Sequence, residues 1–326
     1  MVSLFREKTS GSVFLLLLLS IAIHLPFFAH PPQVLVKDHS GLLAEWMKPL
    51  QALPDVLLML IYQLLVVLQA LRLNYTLNES RMFQKQTFTV GMAYILLTSI
   101  LPEWNNITPA LICNSFIIWI LHMVVTVTNS ASAKSAIFNA GLIAGVSVLL
   151  YHPSVSIILF CFIAIAIVRP FELNEWFVLL LGILSPFYFY LSYLFLTDKL
   201  GNIRSYLPAW DPHEIKPGKN LPALIATISM LGFLLLLGLY VWRATSSRLL
   251  IHVRKNWSLL LFMLIVLTPM VFIAYNTGIE AGVMSMVPLA AFAGNVFLYP
   301  RSRWITALLF WAVVGISLYN SGVFNL

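Results

Sequence analysis

The sequence predicts an all-α, polytopic transmembrane helical bundle, and three observations predict it. Of 326 residues, 60% are apolar and only 10% are charged, against roughly 25% charged in an ordinary soluble domain. The mean hydropathy is +0.90. Apolar runs long enough to cross a bilayer recur from residue 12 to residue 320. Such a composition excludes soluble enzyme folds, because a soluble domain of this size needs a charged surface to stay dispersed.

A crossing needs about 20 residues for a hydrocarbon layer roughly 30 Å thick. The apolar runs lie at 12 to 29, 53 to 71, 87 to 101, 107 to 127, 136 to 151, 154 to 168, 174 to 197, 221 to 242, 256 to 275, 279 to 298 and 303 to 320. The chain is thus expected to be one transmembrane domain over residues 1–326, with about eleven spans. The runs at 87, 136 and 154 are short enough for adjacent pairs to be re-entrant instead. The first run follows Arg6 and Lys8 as in a signal peptide, but continues into Phe27, Phe28, His30 and two prolines without a small-residue cleavage pattern, so it reads as an uncleaved span.

Counting basic residues on alternate sides gives the orientation. One side, which includes Arg6, Lys8, Arg72 and Arg81, collects 13 of the 19 Lys and Arg, while the acids divide 4 to 8. Positive charge marks cytoplasmic loops. The N-terminus is therefore expected inside and the C-terminus outside, and the basic balance calls for no nucleic-acid partner. Two outer segments are long, residues 30–53 and 198–220. In the first, Leu42, Leu43, Trp46, Met47 and Leu50 recur as one face of a short interfacial helix, interrupted by Pro49.

Several motifs have ordinary structural uses. Thr277 and Glu280 form a T-x-x-E capping box at the tenth span, and Asp55 and Thr108 suit helix starts. Gly141 and Gly145 make a small-residue face for close helix packing. Pro186, Pro269 and Pro288 interrupt three spans and are expected to kink them. Cys113 and Cys161 sit in apolar runs as small hydrophobes, with no metal-ligand spacing and no cofactor implied. Sequons at Asn74, Asn78 and Asn256 fall on the inner side, leaving only Asn106 outside.

The candidates for chemistry are few. Asp38 with His39 and Glu45, and Arg204 with Asp211, His213 and Glu214, are the outward polar constellations. Asp38 or Asp211 would serve as the base of an enzyme, and Arg204 would grip phosphate bidentately. Trp46, Tyr188, Tyr190 and His213 are the further candidates for substrate contact, since aromatic rings beside an outer loop suit a lipid-linked sugar. On the inner side Arg169, Glu172 and Glu175 form the densest charged cluster, read either as a clasp between two helices or as a site for an anionic head group or partner. His24 and His122 lie within spans, where an ionisable group is a functional hypothesis by default.

At Met1 to Lys8, Leu73 to Phe83, Leu101 to Asn105, Phe138 to Gly141, Arg169 to Trp176 and Ser185 to Phe189, the chain resembles an uncharacterised family of polytopic inner-membrane proteins of Bacteroidota. The resemblance covers the first two thirds. It implies a bacterial inner membrane and a polytopic fold, and carries over no activity and no site residue.

The leading functional expectation is a protein that binds or processes a lipid-linked envelope substrate, such as a polyprenyl-linked one, at the outer leaflet. Its layout is similar to that of glycosyltransferases using polyprenyl-phosphate sugars, though the first loop is shorter and lacks a paired-acid motif. The rival is a structural membrane subunit with a protein partner in a secretion or envelope complex, and a secondary transporter comes third. Topology reporters fused after Asn220 and after Lys255 are expected to report opposite sides of the membrane; two cytoplasmic readings would refute the alternation.

Overall fold

A computed structural model describes residues 2–8, 11–37, 40–127, 133–201, 221–246, 249–273, 278–299 and 302–321. Among them no strand is formed beyond a single parallel bridge between Val34 and Ile107. The helices are α1 Ser12–Ile23, α2 Leu42–Met47, α3 Asp55–Glu79, α4 Thr89–Thr98, α5 Pro109–Val127, α6 Ala133–Leu150 and α7 Ser156–Val168, then α8 Leu173–Leu196, α9 Leu221–Ser246, α10 Ile251–Leu267, α11 Met270–Ile273, α12 Met286–Leu298 and α13 Arg303–Asn320. Eight helical segments are long and apolar enough to cross a membrane, and three shorter apolar helices, Ser12–Ile23, Thr89–Thr98 and His152–Val168, accompany them. This is the architecture of a multi-pass membrane protein.

The bundle is built around α12, all of whose residues are buried, and α4, whose ten residues are likewise buried. Close approach explains how they pack. A Cβ on Gly294 would stand 2.9 Å from Val90 Cα in α4, and one on Gly238 in α9 would stand 2.9 Å from the Phe292 carbonyl oxygen. A ten-residue helix is only about 15 Å long, too short for a lipid-facing crossing. Because every side of α4 meets protein, its length is never matched against acyl chains.

Buried amides tie these elements together. Gln69 of α3 accepts from the Tyr94 hydroxyl at 2.7 Å and donates to the Leu111 carbonyl at 2.7 Å. Asn114 donates to Tyr94 at 3.0 Å and to the Val283 carbonyl at 3.1 Å. Asn74 and Asn78, the sequon residues, both donate to the Thr87 carbonyl at 2.8 Å, closing the turn between α3 and α4.

Contacts sort the helix ends into two sets. At the amino-terminal end the Phe5 carbonyl accepts from Phe88 N–H at 2.8 Å, Arg6 donates to the Phe297 carbonyl at 2.9 Å, and Lys255 donates to the Val168 carbonyl at 3.3 Å. Burial, and then the like charge of Arg303, lower the Arg6 pKa from its ordinary value. At the other end, here the loop end, Val34 meets Ile107, His152 N–H donates to the Ser40 carbonyl, and Asn320 donates to the Ile100 carbonyl at 2.7 Å.

The prolines behave differently from one another. Pro186 lies inside α8, and Pro269 falls in the break between α10 and α11. Pro288, expected to kink a span, occupies the first turn of α12 rather than its middle. A 3-10 segment, Gly278–Ser285, leads into that turn. The capping box expected around Thr277 lies outside the described residues.

The small-residue face is used within the chain. α6 and α8 run parallel, and a Cβ on Gly141 would meet the Leu179 carbonyl oxygen at 2.6 Å. Gly145 similarly abuts the Ile183 carbonyl, and Gly182 of α8 answers against the Phe138 carbonyl. Gly141→Leu and Gly145→Leu should each lower stability by about 1–3 kcal/mol or more, because overpacking here strikes backbone. Gly232→Leu, with open space around its α carbon, should leave the melting temperature in detergent nearly unchanged; equal melting of all three variants would refute the interlock.

Candidate functional site

The first long loop is fastened across the loop end of the bundle. Gly41 has φ +136°, and a Cβ there would overlap the Leu150 carbonyl at the end of α6, so only glycine fits the close approach. Gln33 N–H donates to Asn106 Oδ1 at 3.0 Å, while Gln51 donates to the Val34 carbonyl at 3.1 Å. Lys37 forms an ion pair of 3.0 Å with Glu280, whose side chain is only 10% exposed. That pairing joins the loop to the 3-10 entry of α12, a link the local sequence around Glu280 did not show. Beside it, Trp104 Nε1 donates to the Ile279 carbonyl at 2.9 Å, and the Tyr62 hydroxyl donates to the Trp104 carbonyl at 3.1 Å.

Between this loop and the end of α1 lies a cavity of about 280 Å³. His24, Phe27, His30, Gln33, Asn105 and Asn106 line it, with Ser321 from the end of α13. His24 is buried at 1% exposure, with its ring 4.8 Å from Phe27 and 5.1 Å from Tyr62. Its Nδ1 lies 2.8 Å from the Ser20 carbonyl oxygen, while Nε2 has no partner. Asn105 Oδ1 is also buried without a partner, unlike Asn106, which holds Gln33 and donates to the Pro102 carbonyl at 3.1 Å. A larger groove of about 480 Å³ at the amino-terminal end is lined by the single stretch Asn78 to Gln86.

The expected site residues divide into three groups. Asp38, His39, Arg204, Asp211, His213 and Glu214 lie outside the described residues. Trp46, Tyr188 and Tyr190 are described, and none of them lines the cavity. Trp46 is 63% exposed, because α2 turns Leu43, Ala44 and Met47 toward the bundle instead. Tyr188 is exposed and rests edge-on against Phe189. Among the described residues the cavity is bounded by the end of α1, the first loop and the 102–106 turn, while α8 is drawn to α6 by the glycine interlock.

The inner cluster resolves into a clasp. Arg169 grips Glu175 with both ends of its fork, at 2.7 and 3.3 Å, and Glu175 is 2% exposed while Glu172 is exposed at the start of α8. Trp176 packs between Phe162 and Phe171. His122 finds an acid on a different helix, Glu79 at 3.9 Å. Among the described residues no three His, Cys, Asp or Glu side chains gather as a metal site. No protein-family model matches the chain, and no curated protein matches it.

Sequence reasoning singled out His24 but not Asn105 or Gln33. The signal was present in Asn105 and Asn106 in a short turn flanked by Pro102 and Pro109, although nothing local says which loop they face. Removing one partner of a buried ion pair leaves the other uncompensated. Lys37→Met should therefore destabilise the protein by about 2 kcal/mol, more than Glu280→Gln, since Lys37 retains access to water. Thermal unfolding of both single variants and the double variant measures this, and additive effects would show that the pair is not coupled.

Proposed function

We propose that this chain is a bacterial inner-membrane protein that crosses the membrane eleven times and binds or processes a lipid-linked envelope substrate at the outer leaflet. An odd number of crossings is supported by Arg6 and Asn320 belonging to opposite ends of the bundle. The bias of basic residues then assigns the amino-terminal end to the cytoplasm and the loop end to the outer face. The inner-membrane assignment rests on the resemblance to the Bacteroidota family.

The cavity beneath the first loop carries the reading. Its polar lining sits just beyond the end of α1, and its immediate neighbours Leu25 and Phe28 are 54% and 74% exposed. Such a boundary suits a ligand with a polar head and an apolar chain, the head entering a concave site and the chain lying along exposed apolar side chains. The structural-subunit reading loses its best surface, because Gly141 and Gly145 are closed against α8. A coupled transporter finds no carboxylate or guanidinium in the buried Gln69, Tyr94 and Asn114 network.

Native mass spectrometry of the gently purified protein should reveal a retained polyprenyl-linked lipid. Asn105→Trp, which fills the cavity, should lose it. Retention of a stoichiometric protein partner in place of lipid would favour the structural-subunit reading, and undiminished lipid in the variant would refute this site.

A further inference from the structure

The reading above leaves the chemistry of the head group open. We infer that the cavity takes an uncharged, hydroxyl-bearing group, such as a sugar ring, and holds it by offering hydrogen-bond acceptors; the inference rests on the outer-leaflet lipid reading. The Ser20 carbonyl, 2.8 Å from His24 Nδ1, can only accept. Nδ1 therefore carries a proton, and in the neutral ring Nε2 is the lone-pair nitrogen. That nitrogen has no partner, in a residue 1% exposed.

Asn105 Oδ1 is a second buried acceptor without a partner. The adjacent Asn106 shows that the turn does not require this: its carbonyl oxygen is taken by Gln33 N–H and its amide by the Pro102 carbonyl. The two buried side-chain atoms of the lining that have no partner are thus both acceptors. No Lys or Arg is among the described lining residues. A phosphate brought to these two atoms would set its oxygens against lone pairs with no Lys or Arg beside them, whereas a hydroxyl donates to either group. Buried acceptors left unmatched are unfavourable, so a donor ligand is selected rather than merely admitted. Pro26 and Phe27 supply an apolar wall for the C–H face of a sugar.

The test uses the full chain in phosphatidylcholine nanodiscs, with monoglucosyl diacylglycerol or phosphatidic acid added at equal mole fraction, and free glucose in a separate arm. Affinities are read by native mass spectrometry. The glucolipid should bind, at least tenfold more weakly to Asn105→Leu and His24→Phe, and Asn105→Asp, which keeps an acceptor, should retain binding. Asn105 lies in a short surface turn, so its variants keep the test open if His24→Phe fails to fold. Preferential binding of phosphatidic acid, lost in the same variants, would overturn the hydroxyl inference while leaving the lipid reading intact. Free glucose binding as tightly as the glucolipid would overturn the lipid source but not the acceptor chemistry. Binding of neither lipid nor sugar that responds to these variants would overturn both.

Discussion

Helices immersed in hydrocarbon gain nothing by hiding apolar surface from water, so this fold depends on how closely its backbones can approach. Dispersion attraction falls steeply with separation, and the glycines set that separation at the most buried contacts. Gly294 brings α12 onto α4, Gly238 brings α9 onto Phe292, and Gly141, Gly145 and Gly182 interleave α6 with α8. Each contact lets two helix backbones meet without an intervening side chain, and α12 is wholly enclosed.

Polar groups supply the register that close packing alone leaves free. Sliding α4 along α3 would separate Tyr94 from Gln69, and Gly91 N–H from Asn74 Oδ1, where the bond is 3.2 Å. Neutral amides suit this task because each offers donors and an acceptor at depth without the desolvation penalty of a charge. Charges are kept for the two ends: Arg169 with Glu175 at one, Lys37 with Glu280 at the other. Among the described residues the segments at the loop end are consequently interlocked rather than independent turns, with the His24 cavity beside them.

The helical class, most span positions and the small-residue face were legible in the sequence, because hydropathy and Gly spacing act locally. The Arg169 clasp was legible as well, though only the backbone geometry chose Glu175 over Glu172. What stayed hidden involves residues far apart in the chain: Lys37 with Glu280, Trp104 with Ile279, Gly294 with Val90. Glu280 read as a cap since its neighbours fit that motif, and nothing nearby announced a lysine more than two hundred positions earlier. Trp46 read as one of the residues on a single interfacial face from Leu42 to Leu50, but α2 ends at Met47, where a 3-10 turn takes over, and it is Leu43, Ala44 and Met47 that are buried.

The shortness of α4 bears on how the protein is made. A segment of ten helical residues cannot hold a place in the bilayer unaided, and the helix that encloses it from one side, α12, emerges roughly 200 residues later, about 10–40 s at ordinary rates of synthesis. During that interval α4 has its neighbours α1 and α3, with Asn74 already able to hold Gly91, and then α5, whose Asn114 reaches Tyr94. The Asn74 amide, which sets register in the finished bundle, is therefore also a contact that a marginal segment can make before its later neighbour has been translated.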